Sequence, residues 1–495
     1  MSTVALAAGS LAGAREAGVF AFRAVPYAAS PLGERRFRPP SAVEPWSGVR
    51  DATRNGPVPP QLRSRLADVM GDFPLEMGED CLTLTIWTPA IDAQKRPVLV
   101  WFHGGAFSSG AGSLACYSGA KLAERGDLVV VGVNYRLGAL GYLYAPGISE
   151  GNLGLLDQLA ALRWVRDNIA AFGGDPSSVT VCGQSAGAMS ALILMTMPEA
   201  DGLFGRAILQ SPAMTRMTRG AADAGAIGAQ FVEKLGAKDL AAMQAVPIAD
   251  LLRVQGELSG LHAKFADAAP AFAPVIDGTV IPRDPLISLR ERPAPSVEML
   301  MGTTREESGA FCAIDPRIIN ATPEQVAGVF TREFGDRAVA EEAGYRRRRP
   351  GSDAPALLTD VLSDQQFLMQ LLAFADWRSG AARPAYVYQF DWTPAHAAKR
   401  FGACHCIELP FVFGYDESWS AAPMLGDAHA SEIGALSNVI QQTWIAFTKT
   451  GDPGNDALPP WPRYDTERRT TMRFDRIVGP VDDLAGLHFR RTLDV

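Results

Sequence analysis

Ser178-Val179-Thr180-Val181-Cys182-Gly183-Gln184-Ser185-Ala186-Gly187, followed at once by the apolar run Ala188 to Met195, is the stretch on which the reading of the chain turns. A short β-branched run of this kind fits a strand covered on both faces. The Ala- and Leu-rich run after it fits a helix. Between them sits Gly-x-Ser-x-Gly. The two glycines carry no Cβ, so strand and helix can close around a sharp turn. The turn then holds Ser185 in a strained conformation above the carboxyl end of the strand. The pentapeptide alone would fit a plain strand–helix turn; its context gives it weight.

Working outward, similar short runs recur. Pro97–Phe102 and Asp127–Val133 precede the quoted strand, and Arg206–Gln210, Glu298–Gly302 and Pro384–Phe390 follow it. Between the second and third runs, Leu155, Leu156, Leu159, Leu162, Val165 and Ile169 repeat at helical spacing, and Gly173-Gly174-Asp175-Pro176 stops the pattern. Strand–helix–strand of this form is a right-handed parallel crossover. The expected class is therefore α/β, with a central, mostly parallel sheet and helices on both faces. The residues before about 60 read as irregular structure with short strands. Segments 220–265 and 315–375 read as helical insertions packed over the sheet's carboxyl edge, where they would form a lid on a substrate pocket. One domain over 1–495 is expected.

A serine hydroxyl becomes nucleophilic only with a base beside it and an acid to orient that base. After the strand ending at Phe102 comes His103-Gly104-Gly105-Ala106-Phe107, whose small residues let backbone N–H groups approach a ligand. Donors there, with the N–H of Ala186, would bind an oxyanion. The strand 298–302 runs into Thr303-Thr304-Arg305-Glu306-Glu307-Ser308, and the strand 384–390 into a loop bearing His396 and His405. Spacing alone leaves Glu306 or Glu307 as the acid and His396 or His405 as the base. His262, His429 and His488 follow no such strand and read as surface or packing histidines.

The net charge of −8 argues against a nucleic-acid partner, because phosphate contacts need a basic face. The run Arg346–Arg349 reads as a solvated helix end. No apolar run reaches the roughly 18 residues of a membrane helix, and the N-terminal stretch lacks the charged start of a secretory signal. A soluble, cytoplasmic protein without membrane association is expected. Cys81, Cys116, Cys182, Cys312, Cys404 and Cys406 are too scattered for a disulfide scaffold. Cys404-His405-Cys406 could suggest zinc, but alternate residues of an extended segment face opposite ways. Free thiols around a functional histidine are expected, with no metal.

These motifs together resemble the type-B carboxylesterases, the family of para-nitrobenzyl esterases, animal carboxylesterases and cholinesterases, which have the α/β-hydrolase fold. Phe22–Ala28 with Arg36–Pro40, Glu79-Asp80-Cys81-Leu82, Asn152 to Gln158, the Gly183–Gly187 block, and Trp444–Phe447 with Gly451–Pro453 carry the likeness along nearly the whole chain. The resemblance decides what spacing left open. Gly302–Ser308 is similar to the family's Gly-x-x-x-Asp-Glu-Gly, which implies Glu307 as the acid. Gly402–Pro410 is similar to Gly-Ala-x-His-x-x-Glu-Leu-Pro, which implies His405 as the base. It implies Gly105, Ala106 and Ala186 as oxyanion donors, with Gly104 shaping the turn and Gly183 and Gly187 supporting the elbow.

Three positions depart from the family pattern. Gln184 replaces the commoner Glu before the nucleophile and is expected to lie behind the reacting groups. Ser308 replaces Gly. Cys81 has no upstream cysteine for the family's N-terminal disulfide, which fits a reducing compartment. The implied activity is serine-dependent hydrolysis of a small-molecule carboxylic ester, neutral and short to medium in chain or aryl, without cofactor. An amidase or carbamate hydrolase would use the same triad. A non-catalytic binding protein of the neuroligin kind would have lost the nucleophile, whereas Ser185, Glu307 and His405 are all present.

Overall fold

The β-branched runs identified in the sequence become one large twisted sheet. Along its main path the strands, in chain order, are β1 (Ser2–Leu6), β2 (Gly9–Glu16), β3 (Val19–Pro26), β4 (Thr83–Thr88), β5 (Arg96–Phe102), β6 (Val129–Val133), β7 (Gly174–Gln184), β8 (Arg206–Gln210), β9 (Glu298–Thr304), β10 (Tyr386–Phe390), β11 (Thr471–Phe474) and β12 (Gly479–Val481), and the short strand Val49–Asp51 pairs with β2 beside it. They lie side by side in the order β1-β2-β3-β4-β6-β5-β7-β8-β9-β10-β11-β12. From β6 through β11 neighbouring strands run parallel. The first strands and the last pair are antiparallel. The structure, a computed structural model, describes residues 2–73, 76–214, 216–267, 269–291, 297–394, 400–484 and 486.

Side-chain alternation along the central strands divides the core into two layers. Val98, Val100 and Phe102 of β5, Val181 of β7 and Leu209 of β8 join the cluster on one face. Leu99, Trp101, Cys182 and Ile208 join the cluster on the other. Burial on both faces is why these strands read as continuous apolar runs.

Two crossover helices flank the elbow strand: α1 (Leu153–Asn168), which carries the leucine repeat, and α2 (Ala186–Leu194), which starts directly after Ser185. Segment 220–265 contains α3 (Ala221–Leu235) and α4 (Ile248–Leu261), whose Ile227, Phe231, Leu251, Val254 and Leu258 merge with the first core layer. Segment 315–375 contains α5 (Pro323–Phe334), α6 (Ala338–Arg348), α7 (Ala354–Ser363) and the start of α8 (Met369–Gly380). It keeps a small core of its own around Phe330, Tyr345, Leu358 and Val361. Between α7 and α8, Asp364–Leu368 forms a π-helical turn, the kind of widened turn that often marks a functional position.

The N-terminus is more regular than its composition suggests. Short strands were expected there, and residues 2–26 are three of them, paired antiparallel. Val19 and Ala21 of β3 join one core layer and Phe22 and Val25 the other, so β3 is covered on both faces, whereas Arg15 of β2 is exposed. The basic run ends α6 as expected, with Arg346 on Glu342 and Arg348 on Asp364.

Candidate active site

β7 delivers Ser185 to the carboxyl edge of the sheet. The residue heads α2 with φ 55° and ψ −120°, a region that L-residues enter only under constraint. Its amide donates to Gln210 O at 2.8 Å, which pins the turn to β8. The flanking glycines are obligatory for packing. A Cβ on Gly187 would lie 1.9 Å from Phe102 O, and one on Gly183 would lie 2.4 Å from Gly187 C. Ser185 is 5% exposed.

β5 lies beside β7, with Phe102 opposite Gly183, so the His103–Phe107 loop opens next to the serine. Gly105 has φ 118°, and Ala106 and Phe107 follow at 52° and 57°. A Cβ on Gly105 would lie 2.0 Å from Ser109 O. This reversal frees main-chain donors. Among the described residues, the amides of Gly105, Ala106 and Ala186 have no internal acceptor. His103 supports the loop from below. Its ring stacks on Tyr135 at 4.4 Å, its Nδ1 contacts Gly104 O at 2.7 Å, and burial pushes its pKa down to about 4, so it is neutral.

The two adjacent glutamates after β9 part company. Glu307 is fully buried; its Oε2 accepts from His405 Nδ1 at 2.5 Å and its Oε1 from Thr304 N at 2.8 Å. Glu306 instead accepts from Ala403 N at 2.8 Å and from Arg305 at 2.8 Å, with Arg349 at 3.7 Å. It ties the loop bearing His405 to segment 315–375. Ser308 sits at φ −76° and ψ −5°, which any L-residue adopts, so the departure from Gly costs no strain. Its amide donates to Ser363 Oγ at 2.9 Å, a second tie to α7.

Three features around His405 were not read from the sequence. Gln184 does not lie behind the reacting groups. Its Nε2 is 3.1 Å from His405 Nε2, the nitrogen that would take the serine proton. Glu408 is buried and held up at about pKa 7, first by desolvation and then by the charge of Glu307; Gln210 donates to its Oε1 at 3.1 Å. Phe311 and Phe367 set their rings against His405 at 5.5 and 5.2 Å. Gln184 was legible as a departure, and Glu408 within the quoted Glu-Leu-Pro. Phe367 had no signal, because it depends on the π-helical turn.

Other expectations resolve as follows. His396 and His488 lie outside the described residues. His262 contacts Gln230 at 3.1 Å, and His429 precedes the helix α9 (Ala430–Thr450). All six cysteines are buried and free. The segment Cys404–Cys406 is a turn rather than an extended piece, with Cys406 at φ 75°, so the alternation argument against zinc does not apply there. Among the described residues, no group of His, Cys, Asp or Glu is arranged to hold a metal. Among them, too, no helix is long and apolar enough to cross a membrane.

The arrangement suits acyl transfer: a buried serine at the carboxyl edge of the sheet, a histidine held by a buried carboxylate, and free amides beside them. Known proteins agree over the full length. The chain is 39% identical to the phenmedipham hydrolase of Pseudarthrobacter oxydans, covering 92% of each chain. It is 37% identical to the para-nitrobenzyl esterase of Bacillus subtilis, covering 94% of this chain and 93% of that one. The solved carboxylesterase EST55 of Geobacillus stearothermophilus superposes with a TM-score of 0.87 at 36% identity, over 100% of both chains. The sequence profile of the carboxylesterase family matches residues 1–483. The chain belongs to the carboxylesterase family and is a serine-dependent carboxylic-ester hydrolase of the α/β-hydrolase fold.

Proposed function

We propose that Ser185, His405 and Glu307 carry the hydrolysis, with Gly105, Ala106 and Ala186 as oxyanion donors. His405 Nε2 takes the proton of Ser185 as its oxygen attacks the ester carbonyl. The three amides receive the negative charge of the tetrahedral intermediate. His405 returns the proton to the departing alcohol and leaves an acyl-serine. Water, deprotonated by the same nitrogen, releases the acid and restores the serine. Glu307 keeps the proton on Nδ1 and stabilises the imidazolium. The observation that carries this reading is the pairing of His405 with Glu307 at 2.5 Å, with Glu306 turned away to Ala403.

The substrate in this reading is a neutral short- to medium-chain or aryl ester. Its support is the apolar wall of Phe311 and Phe367 at the base. Choline esters fit poorly. The stretch Val69–Leu75, in the region where cholinesterases carry a cation-binding tryptophan, holds none; its one aromatic is Phe73, which meets Trp419 edge-on at 6.2 Å. Segments 220–265 and 315–375 serve as the lid over the pocket in the same reading. The six free cysteines support a reducing, cytoplasmic location.

A phosphonate probe tests the assignment. It is expected to label Ser185 stoichiometrically, as mapped by peptide mass spectrometry. Label on another residue removes the assignment. A panel of nitrophenyl esters, a nitroanilide and butyrylthiocholine tests the substrate. The aryl esters are expected to have the highest kcat/KM, and a comparable value for the choline ester or the anilide would replace the substrate reading.

A further inference from the structure

His405 is held at both nitrogens. Glu307 carries only acceptor atoms toward Nδ1, so that nitrogen bears the proton of the neutral ring. Nε2 is then a bare acceptor. The group that meets it, at 3.1 Å, is the amide nitrogen of Gln184, which donates. Among the described residues this is the hydrogen bond at Nε2, and the Ser185 hydroxyl makes none to the helix it heads. Gln184 has little freedom to be elsewhere. It is the last residue of β7 and 1% exposed, and its Oε1 is packed so close to the oxyanion loop that a Cβ on Gly104 would stand 2.5 Å away.

We propose that Gln184 is a positioning residue: in the resting enzyme it holds His405 neutral, in the tautomer that accepts at Nε2, and so extends hydrolysis to lower pH. The inference rests on His405 being the base. Protonating Nε2 would set an N–H against an amide N–H, two donors with no acceptor between them. The amide therefore favours the neutral ring. In the acylation step the serine hydroxyl must displace it. A glutamate at this position would act in the opposite sense, because a carboxylate accepts from the imidazolium and keeps it protonated.

Glu307 lies at Nδ1. Cys404 and Cys406 flank His405 on its own turn, with both thiols pushed up by burial. Glu408 follows on the same turn, held up at about 7. Phe311 and Phe367 cover the ring without charge. Gln184 is thus the neutral donor among acidic groups, and its exchange changes the field at Nε2 directly.

The test compares Gln184→Glu, Gln184→Met and the parent by the acid limb of kcat/KM against pH, which reports protonation of the free enzyme's base. The low-field proton of the His405–Glu307 hydrogen bond, followed by NMR against pH, reads the ring without turnover. The limb is expected to move up by about half a pH unit in the Met variant, the worth of one lost hydrogen bond to the neutral form. In the Glu variant it is expected to move up by about one unit or more. A side chain that merely fills space would lower the plateau and leave the limb where it was. An unmoved limb in the Glu variant, with Ser185 still labelled by phosphonate, overturns the role of Gln184 alone. Failure of the parent enzyme to label at Ser185 would overturn the triad reading instead. Should the Glu variant fail to fold, the Met variant decides by the same shift.

Discussion

The two sides of the site are built by different means. On the elbow side, Ser185 and the Gly104–Ala106 loop are placed by main chain: neighbouring strands in register, positive φ angles, and glycines with no room for a Cβ. On the acid–base side, Glu307 and His405 are placed by side-chain contacts between loops 98 residues apart in sequence. One side tolerates almost no substitution of its glycines, and the other depends on which carboxylate faces which ring nitrogen. The lesson is that backbone-built geometry leaves a local signature, whereas side-chain geometry does not.

The largest expected effect breaks the elbow side at its functional atom. Ser185→Ala should lower kcat by about 10⁵- to 10⁶-fold, as in the serine triads measured in this way, with the circular dichroism spectrum unchanged. Turnover within tenfold of the parent would remove Ser185 from the chemistry.

Next comes the acid–base side. Glu307→Gln should cost about 10⁴-fold, because a neutral amide no longer fixes the proton on His405 Nδ1. Equal losses in Glu307→Gln and Glu306→Gln would mean that the two carboxylates share the task, and the contrast drawn here would fail.

Gly105→Ala sharpens the comparison from the backbone side. The added methyl must push Ser109 O away and rotate the loop's amides. A loss of about 10²- to 10³-fold in kcat is expected, the worth of one oxyanion donor, with a smaller change in KM. A loss confined to KM would place Gly105 in substrate binding instead.

The smallest effect on activity is expected for Glu306→Gln. Glu306 holds Ala403 N and Arg305, and Arg349 of segment 315–375 lies within ion-pair distance. Its loss should lower the thermal unfolding midpoint, since breaking a buried charge-assisted contact costs roughly 1.5–3 kcal/mol. The kcat should fall by less than about tenfold. A drop as deep as that of Glu307→Gln, at an unchanged midpoint, would reverse the roles of the two residues.

The same contrast explains what was legible in the sequence. The strand runs, the leucine repeat of α1 and the Gly-Gln-Ser-Ala-Gly turn are local patterns, and each was found where it was expected. The residues alone could not choose between Glu306 and Glu307, since adjacent residues in one turn differ only in the direction the fold gives them. Family likeness supplied the choice; in the structure Glu307 meets His405 Nδ1 while Glu306 accepts from Ala403 N. Short strands were expected before residue 60, but their bounds and pairing were not legible, because glycine and arginine content blurs the period-two pattern. The contact of Gln184 with His405 spans 221 residues and could not be seen from one segment. Phe367, which sets its ring against His405, lies in a widened helical turn that has no sequence signature here.

The sequence separations within the site also bear on how the protein assembles. The partners of His405 lie 98 and 221 residues upstream, on opposite ends of crossovers that must fold before β9 and β10 can dock in parallel. Parallel pairing at such range is slow, because loop closure comes before the contacts that reward it. The elbow can form while the chain is still emerging, but His405, the proposed base, arrives only with the loop after β10. Regain of esterase activity in refolding should therefore trail the recovery of helical signal. A nascent chain released before residue 405 would hold a nucleophile turn with nothing to activate it.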